Sequence, residues 1–139
     1  MQAHSPRPIR KTPLALAAAA VVLLTGMGFH HGWANYHQDI ELTYRGVILT
    51  NDIGNPHTYI DLRVSHREWK DPRAEAYDRV EEWNVVLAPV TRMRNRGMTD
   101  DAMLAVGDTV TVVGYPHRTV AREMRAERII IGNVKIELR

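Results

Sequence analysis

From residue 41 onward, apolar and polar positions mostly alternate with a period of two, the pattern of strands that bury one face. Over residues 41–50, Leu42, Tyr44, Gly46 and Ile48 fall on one side, and Thr43, Arg45, Val47 and Leu49 on the other. A glycine inside such a run marks a bulge or a sharp bend, which is expected at Gly46. Residues 51–56 carry turn chemistry, and residues 58–64 alternate again with Ile60, Leu62 and Val64 inward. The charged stretch 65–79 reads as a loop with one or two helical turns, Asp71 as cap and Pro72 as first helical residue. A third strand is expected over 82–87, with Trp83, Val85 and Leu87 on its buried face. Residues 88–96 fit a short helix started by Pro89 and stopped by Gly97, and Thr99 can cap a further turn through Leu104. Residues 109–115 are strongly β-forming. The Arg and Glu content of 124–131 would suit a helix, but Ile129-Ile130-Ile131 and the Gly132-Asn133 turn favour a strand, with 134–138 completing a hairpin.

Three strands, a short helix, two strands and a last short strand make an all-β protein with minor α content. The order is that of a small OB-like β-barrel of five to six strands, with a helix between strands 3 and 4. A bent first strand suits the curl of such a barrel. A β-sandwich would not call for the helix.

The pattern upstream is different. Arg7, Arg10 and Lys11 precede residues 14–24, which carry no charge. A basic segment before an apolar run of this length is a secretory signal, and the run is short of the roughly 20 residues of a membrane span. Extended through Phe29 it nears the lower limit, so an uncleaved N-terminal anchor is the alternative. Gly26-Met27-Gly28 and Gly32-Trp33-Ala34 both place small residues where cleavage needs them. The earlier site lies nearer the apolar run. The expected organisation is a signal peptide over 1–28, a His-rich lead-in over 29–40 and a barrel domain over 41–139, delivered to the periplasm.

Export changes the net charge. The chain has 18 basic and 16 acidic residues, a formal net charge of +2. Removing the three leader cations turns this into −1, so a nucleic-acid partner, which needs a basic face, is not expected. There is no cysteine, which removes disulfides, thiolate metal sites and a lipidated cysteine. Contact with a membrane is expected only through the leader or an uncleaved anchor.

Candidate chemistry rests on histidines. His30 and His31, with His37 six residues on, are the densest donor cluster in the chain. Cleavage after Gly28 would make His31 the third residue of the mature chain. A free amine, two amide nitrogens and that imidazole can wrap Cu(II) in the square plane it favours. His57, in Asn55-Pro56-His57, enters the second strand from a rigid turn and is a further candidate ligand. The metal set is therefore His30, His31, His57 and His37, with copper first. The other reading is a non-metal interaction module of the cell envelope that binds a protein or glycan on the barrel face, through Tyr59 and Asn55. His66 and His117 read as solvated, Trp83 as core, and Arg92, Arg94 and Arg96 as a solvated helix face. No acid/base dyad, nucleophile elbow or phosphate loop is present, so no enzyme is expected, and a metal-dependent hydrolase ranks last.

Several of these positions recur together. His30-His31, Tyr36, Gly46-Val47, Asn55-Pro56-His57, Ile60, Leu62, Trp83, Pro89, Arg96-Gly97, Leu104, Gly107-Asp108-Thr109-Val110 and Gly114-Tyr115-Pro116 stand in a characteristic order. In that order the chain resembles DUF6152, a family of small exported bacterial proteins of unknown function. The resemblance implies an address and a fold, not a reaction. It places the double histidine and Asn-Pro-His on motif positions. Two departures stand out. The 65–79 segment is longer, and His117-Arg118-Thr119 stands where a glycine turn is expected, which leaves the register of the last hairpin open.

Overall fold

The computed structural model describes residues 32–139. The signal peptide, the anchor question, His30 and His31 all lie outside the described residues. Within them, residues 33–139 form one compact unit.

Six strands build this unit: β1 (Leu42–Asp52), β2 (Tyr59–Trp69), β3 (Glu82–Val86), β4 (Thr109–Pro116), β5 (Glu123–Ile131) and β6 (Val134–Glu137). Their order is β3-β2-β1-β4-β5-β6, and a parallel β3–β5 pairing closes the first five into a barrel. One α-helix among the described residues, α1 (Val90–Asn95), lies between β3 and β4. This is the expected OB-like order, with β6 paired to the C-terminal half of β5, beyond its contact with β3.

The inward positions are those the alternation predicts. Leu42, Tyr44, Ile48, Ile60, Leu62, Val85 and Met124 are fully buried, and Trp83 nearly so. Met93 of α1 and Leu104 of the 3-10 turn Asp101–Leu104 are buried in the same core. Gly46 sits at a register shift of β1 against β2, and a Cβ there would run into the Arg63 carbonyl. Only glycine lets the two backbones approach so closely. Gly114 has the same role against Arg125 on β5.

Two local expectations change. The loop expected from residue 65 begins later, because β2 continues to Trp69. β1 is flanked by β4 and β2, and its first residues need partners on both sides, so Leu42, Thr43 and Tyr44 pair with Trp69, Glu68 and Arg67. The Asp71 cap and Pro72 then open a 3-10 turn, Pro72–Tyr77, as expected. The turn before β4 is capped by Asp100, whose carboxylate accepts from the Ala102 amide, not by Thr99. Residues 124–131 lie in the strand expected there, and β5 pairs with β3, β4 and β6 despite its Arg and Glu content. A two-residue Gly132-Asn133 turn sets the last register, Ile131 opposite Val134.

A candidate arginine–aromatic binding face

The lead-in has no periodicity, yet its part from Trp33 onward is a folded strap. Trp33–Asn35 forms one 3-10 turn, closed by the Trp33 carbonyl accepting from the Tyr36 amide. His37 then donates its amide to the Pro116 carbonyl, and the Arg118 amide donates to the Asn35 carbonyl. Side chains add to these bonds. Arg118 Nε donates to the Ala34 carbonyl, Arg139 to Gln38 Oε1, and the Tyr36 hydroxyl to Glu123 Oε1 at 2.6 Å. Tyr36 is 5% exposed. Burial, and next the bond to Glu123, raise its phenol well above the usual range.

Strand register defines the barrel's outer surface nearby. Tyr59 pairs with Val86, Val86 with Arg125, and Arg125 with Tyr115. Paired residues share a face, and their inward neighbours Ile60, Val85 and Met124 fill the core, so this row points outward. Trp33 lies against its end. Its ring meets Tyr115 edge-on at 6.1 Å, and the Arg125 and Arg139 guanidinium groups lie 4.8 and 4.6 Å from its centre. Each such cation–ring contact contributes on the order of 0.5–1 kcal/mol at partly exposed sites. Burial first, and the bond to Glu127 second, push the Tyr115 phenol up to about 12.

Arg125 is the centre of the face. It is half-buried, and among the described residues no carboxylate stands within ion-pair distance of it. Burial lowers its pKa, and the nearby Arg92 and Arg139 act in the same direction against the phenols of Tyr36 and Tyr59. The acids two positions away on either side are engaged elsewhere. Glu123 holds the Tyr36 hydroxyl, and Glu127 lies 3.8 Å from Arg139.

His57 borders this set. Its Nδ1 lies 3.2 Å from the Leu87 carbonyl, and its ring meets Tyr59 edge-on at 6.2 Å. A carbonyl only accepts, so Nδ1 carries the hydrogen and the neutral ring keeps its lone pair on Nε2. Burial, then Arg125, lower the imidazole pKa, with Arg92 adding and the Leu87 bond opposing.

The residues that the sequence singles out are thus partly gathered. Tyr59 and His57 stand together on the face. Asn55 is exposed on the preceding turn, where Thr91 reaches it at 3.5 Å. His37 is held elsewhere on the strap, its Nδ1 3.4 Å from Arg118. Among the described residues no group of three His, Asp or Glu side chains comes together as a metal site. His66 is exposed beside Glu68. His117 instead shapes the β4–β5 loop, since its Nδ1 accepts from the Thr119 and Val120 amides. The helix arginines are tied down, Arg92 and Arg96 to carbonyls of the C-terminal segment and Arg94 to Asp101.

Trp33, Arg125 and Arg139 escape a reading of the sequence alone. An arginine at an outward strand position carries no signal of its own. Its meaning comes from the aromatic that the strap lays across it.

The family model described as "Family of unknown function (DUF6152)" matches residues 17–125. The chain belongs to this family. The matched region spans the strap and four complete strands, and it ends at Arg125, so both sides of the Trp33–Arg125 contact fall inside the family. No curated protein matches the chain.

Proposed function

We propose that this DUF6152 protein is an exported binding module that holds an anionic group of a cell-envelope component, a carboxylate or phosphate, on the Tyr59–Arg125–Trp33 face. The observation that carries this reading is Arg125. It is a half-buried guanidinium without a carboxylate, placed near two further arginines, so its charge is uncompensated by the described fold. A guanidinium held by an aromatic ring keeps N–H donors for a planar anion, which it can grip with two parallel bonds. Arg92 and Arg139 add attraction, Tyr59 adds an apolar wall, and the Nε2 lone pair of neutral His57 can accept from a hydroxyl of the same ligand. The work of this face, on this reading, is recognition.

The test uses purified exported protein and an acidic oligosaccharide, an oligouronate, with its neutral counterpart as control. Arg125→Gln is expected to weaken oligouronate binding at least about tenfold, the loss of one charge-assisted contact. Asp61→Asn, on the neighbouring surface, should leave it unchanged. Equal binding of acidic and neutral sugars, or no effect of Arg125→Gln, removes this reading for glycans. Binding of an acidic peptide instead would reassign the ligand to protein.

A second reading has one observation in its favour. The His57 ring is oriented through Nδ1 by a backbone carbonyl and presents a neutral Nε2, the arrangement that prepares a histidine to ligate a metal. Copper held through His30, His31 and His57, with His37 as a further donor, would suit sequestration or hand-over. Cu(II) titration followed by the visible d–d band decides between the readings. His57→Gln should change the band and lower the stoichiometry if His57 ligates.

A further inference from the structure

We infer that the anion taken by the Arg125 face is a phosphomonoester dianion, carried by a sugar or a lipid headgroup, and not a carboxylate. This narrows the anion-binding reading proposed above, on which it rests, to one chemical class.

The ground is the balance of charge around one stretch of β5. Arg125 and Arg139 both lie against the Trp33 ring, 4.8 and 4.6 Å from its centre, so one indole holds two guanidinium groups close to each other. Arg92 approaches from α1. It donates to the Leu138 carbonyl at 3.1 Å, and the Leu138 amide donates at 2.7 Å to the carbonyl of Glu127, two residues along the chain from Arg125. Three arginines, from α1, β5 and the C-terminal segment, are thus gathered here. The charges of Arg92 and Arg139 both act on Arg125 and lower its pKa.

Acids do not match them. Among the described residues one carboxylate, that of Glu127, stands within ion-pair distance of any of the three, at 3.8 Å from Arg139. Glu127 also takes the Tyr115 hydroxyl. Glu123 is committed to Tyr36. Three cations against one loosely held carboxylate leave two positive charges uncompensated.

Like charges crowded on a partly desolvated face repel, and a ligand relieves that repulsion in proportion to the negative charge it brings. A carboxylate brings one charge and two coplanar oxygens. A phosphomonoester brings nearly two charges at neutral pH and three acceptor oxygens. Guanidinium groups that arrive from separate elements are better matched by three tetrahedrally placed acceptors than by two in a plane. A phosphodiester has the tetrahedral shape with a single charge, so it separates shape from charge.

The experiment uses the purified exported protein and calorimetric titration with glucose 1-phosphate, its methyl phosphodiester and glucuronate. The monoester is expected to bind at least about tenfold more tightly than either monoanion. Arg139→Gln, at an exposed position, should cost the monoester about tenfold and remove most of that preference, with a smaller loss for glucuronate. A second arm separates the two sources of the group. Phosphatidylcholine vesicles containing phosphatidic acid, a monoester, are compared with vesicles containing phosphatidylglycerol, a diester. Capture on the phosphatidic acid vesicles assigns the group to a headgroup, binding of glucose 1-phosphate alone assigns it to a soluble sugar, and either supports the class. Equal binding of the three soluble anions, or an Arg139→Gln variant that keeps the full preference, overturns the dianion while leaving the anion site standing. No binding of any anion, or binding indifferent to Arg125→Gln, removes the anion site itself.

Discussion

Two neighbouring regions of the same barrel surface handle charge in opposite ways. Two residues along β2 from Tyr59, the outward row is Thr50, Asp61 and Asn84. There Thr50 donates to one Asp61 oxygen at 2.7 Å, Asn84 donates to the other at 3.1 Å, and Arg63 pairs with Glu82 at 3.0 Å. This region borders a hollow of about 400 Å³, lined by Thr50, Asp61, Glu82, Asn84 and Arg122 among others. Apart from the exposed Arg122, the side-chain groups named here satisfy one another, which is how a solvated surface is built. On the Tyr59–Arg125 row, by contrast, Arg125 lies on a ring among other cations and has no acid of its own. Hollow size points to the first region and a half-buried unpaired charge to the second. The second is the better guide, because a group left without a partner by the fold retains the capacity to take one from outside.

Five substitutions would break or sharpen this contrast. The largest effect is expected for Gly114→Val, whose Cβ would collide with the Arg125 carbonyl and the Ala126 Cα. It should cost about 3 kcal/mol by forcing β4 from β5, measured as a fall in the urea midpoint, and both regions should be lost together. Next is Tyr36→Phe, which removes the hydroxyl held by Glu123 beneath the strap. A loss of about 1 kcal/mol is expected, with the Trp33 fluorescence environment altered; an unchanged midpoint would mean the strap is not anchored there.

A pH experiment reads the crowded cations directly. The folded His57 pKa is lowered, so the unfolded state binds the proton more readily. Stability is then unaffected above the unfolded value near 6.5 and falls as pH drops below it toward the folded pKa. His57→Gln should flatten that slope. Arg125→Gln should move the titration of the His57 ring resonances upward, because it removes the larger of the two arginine contributions. A titration that does not move would separate the two residues. The smallest effect is expected for Asn84→Ala in the paired region: within about 0.5 kcal/mol in stability and none on oligouronate binding. Ligand loss there would relocate the site to the hollow.

Much of the barrel was legible in the sequence. Alternation at residues 42–48 and 60–64 marked which faces are buried, since burial on one side of a strand leaves a period of two regardless of what packs against it. Gly46, Pro89, Gly97 and Gly132-Asn133 marked a bend, a helix start, a helix stop and a hairpin, because each acts through its own backbone. Strand order with one helix then sufficed for the OB-like barrel. The polar continuation of β2 to Trp69 was not legible, since β1 imposes it from outside. The charged half of β5 was legible only through its apolar end and the Gly132-Asn133 turn, since its own Arg and Glu content would suit a helix.

The candidate site divides in the same way. His57 and Tyr59 could be picked out locally, from a rigid turn leading into a strand. The role of Arg125 could not, for it depends on Trp33, far away in the chain, being laid over the sheet by the bonds of Tyr36 and Arg118. The sequence by itself determined the barrel, its inward faces and a choice between two export cuts. Only the tertiary structure decided that the strap from Trp33 onward is part of the domain, because its bonds run to β4, β5 and the C-terminus as well as to its own neighbours.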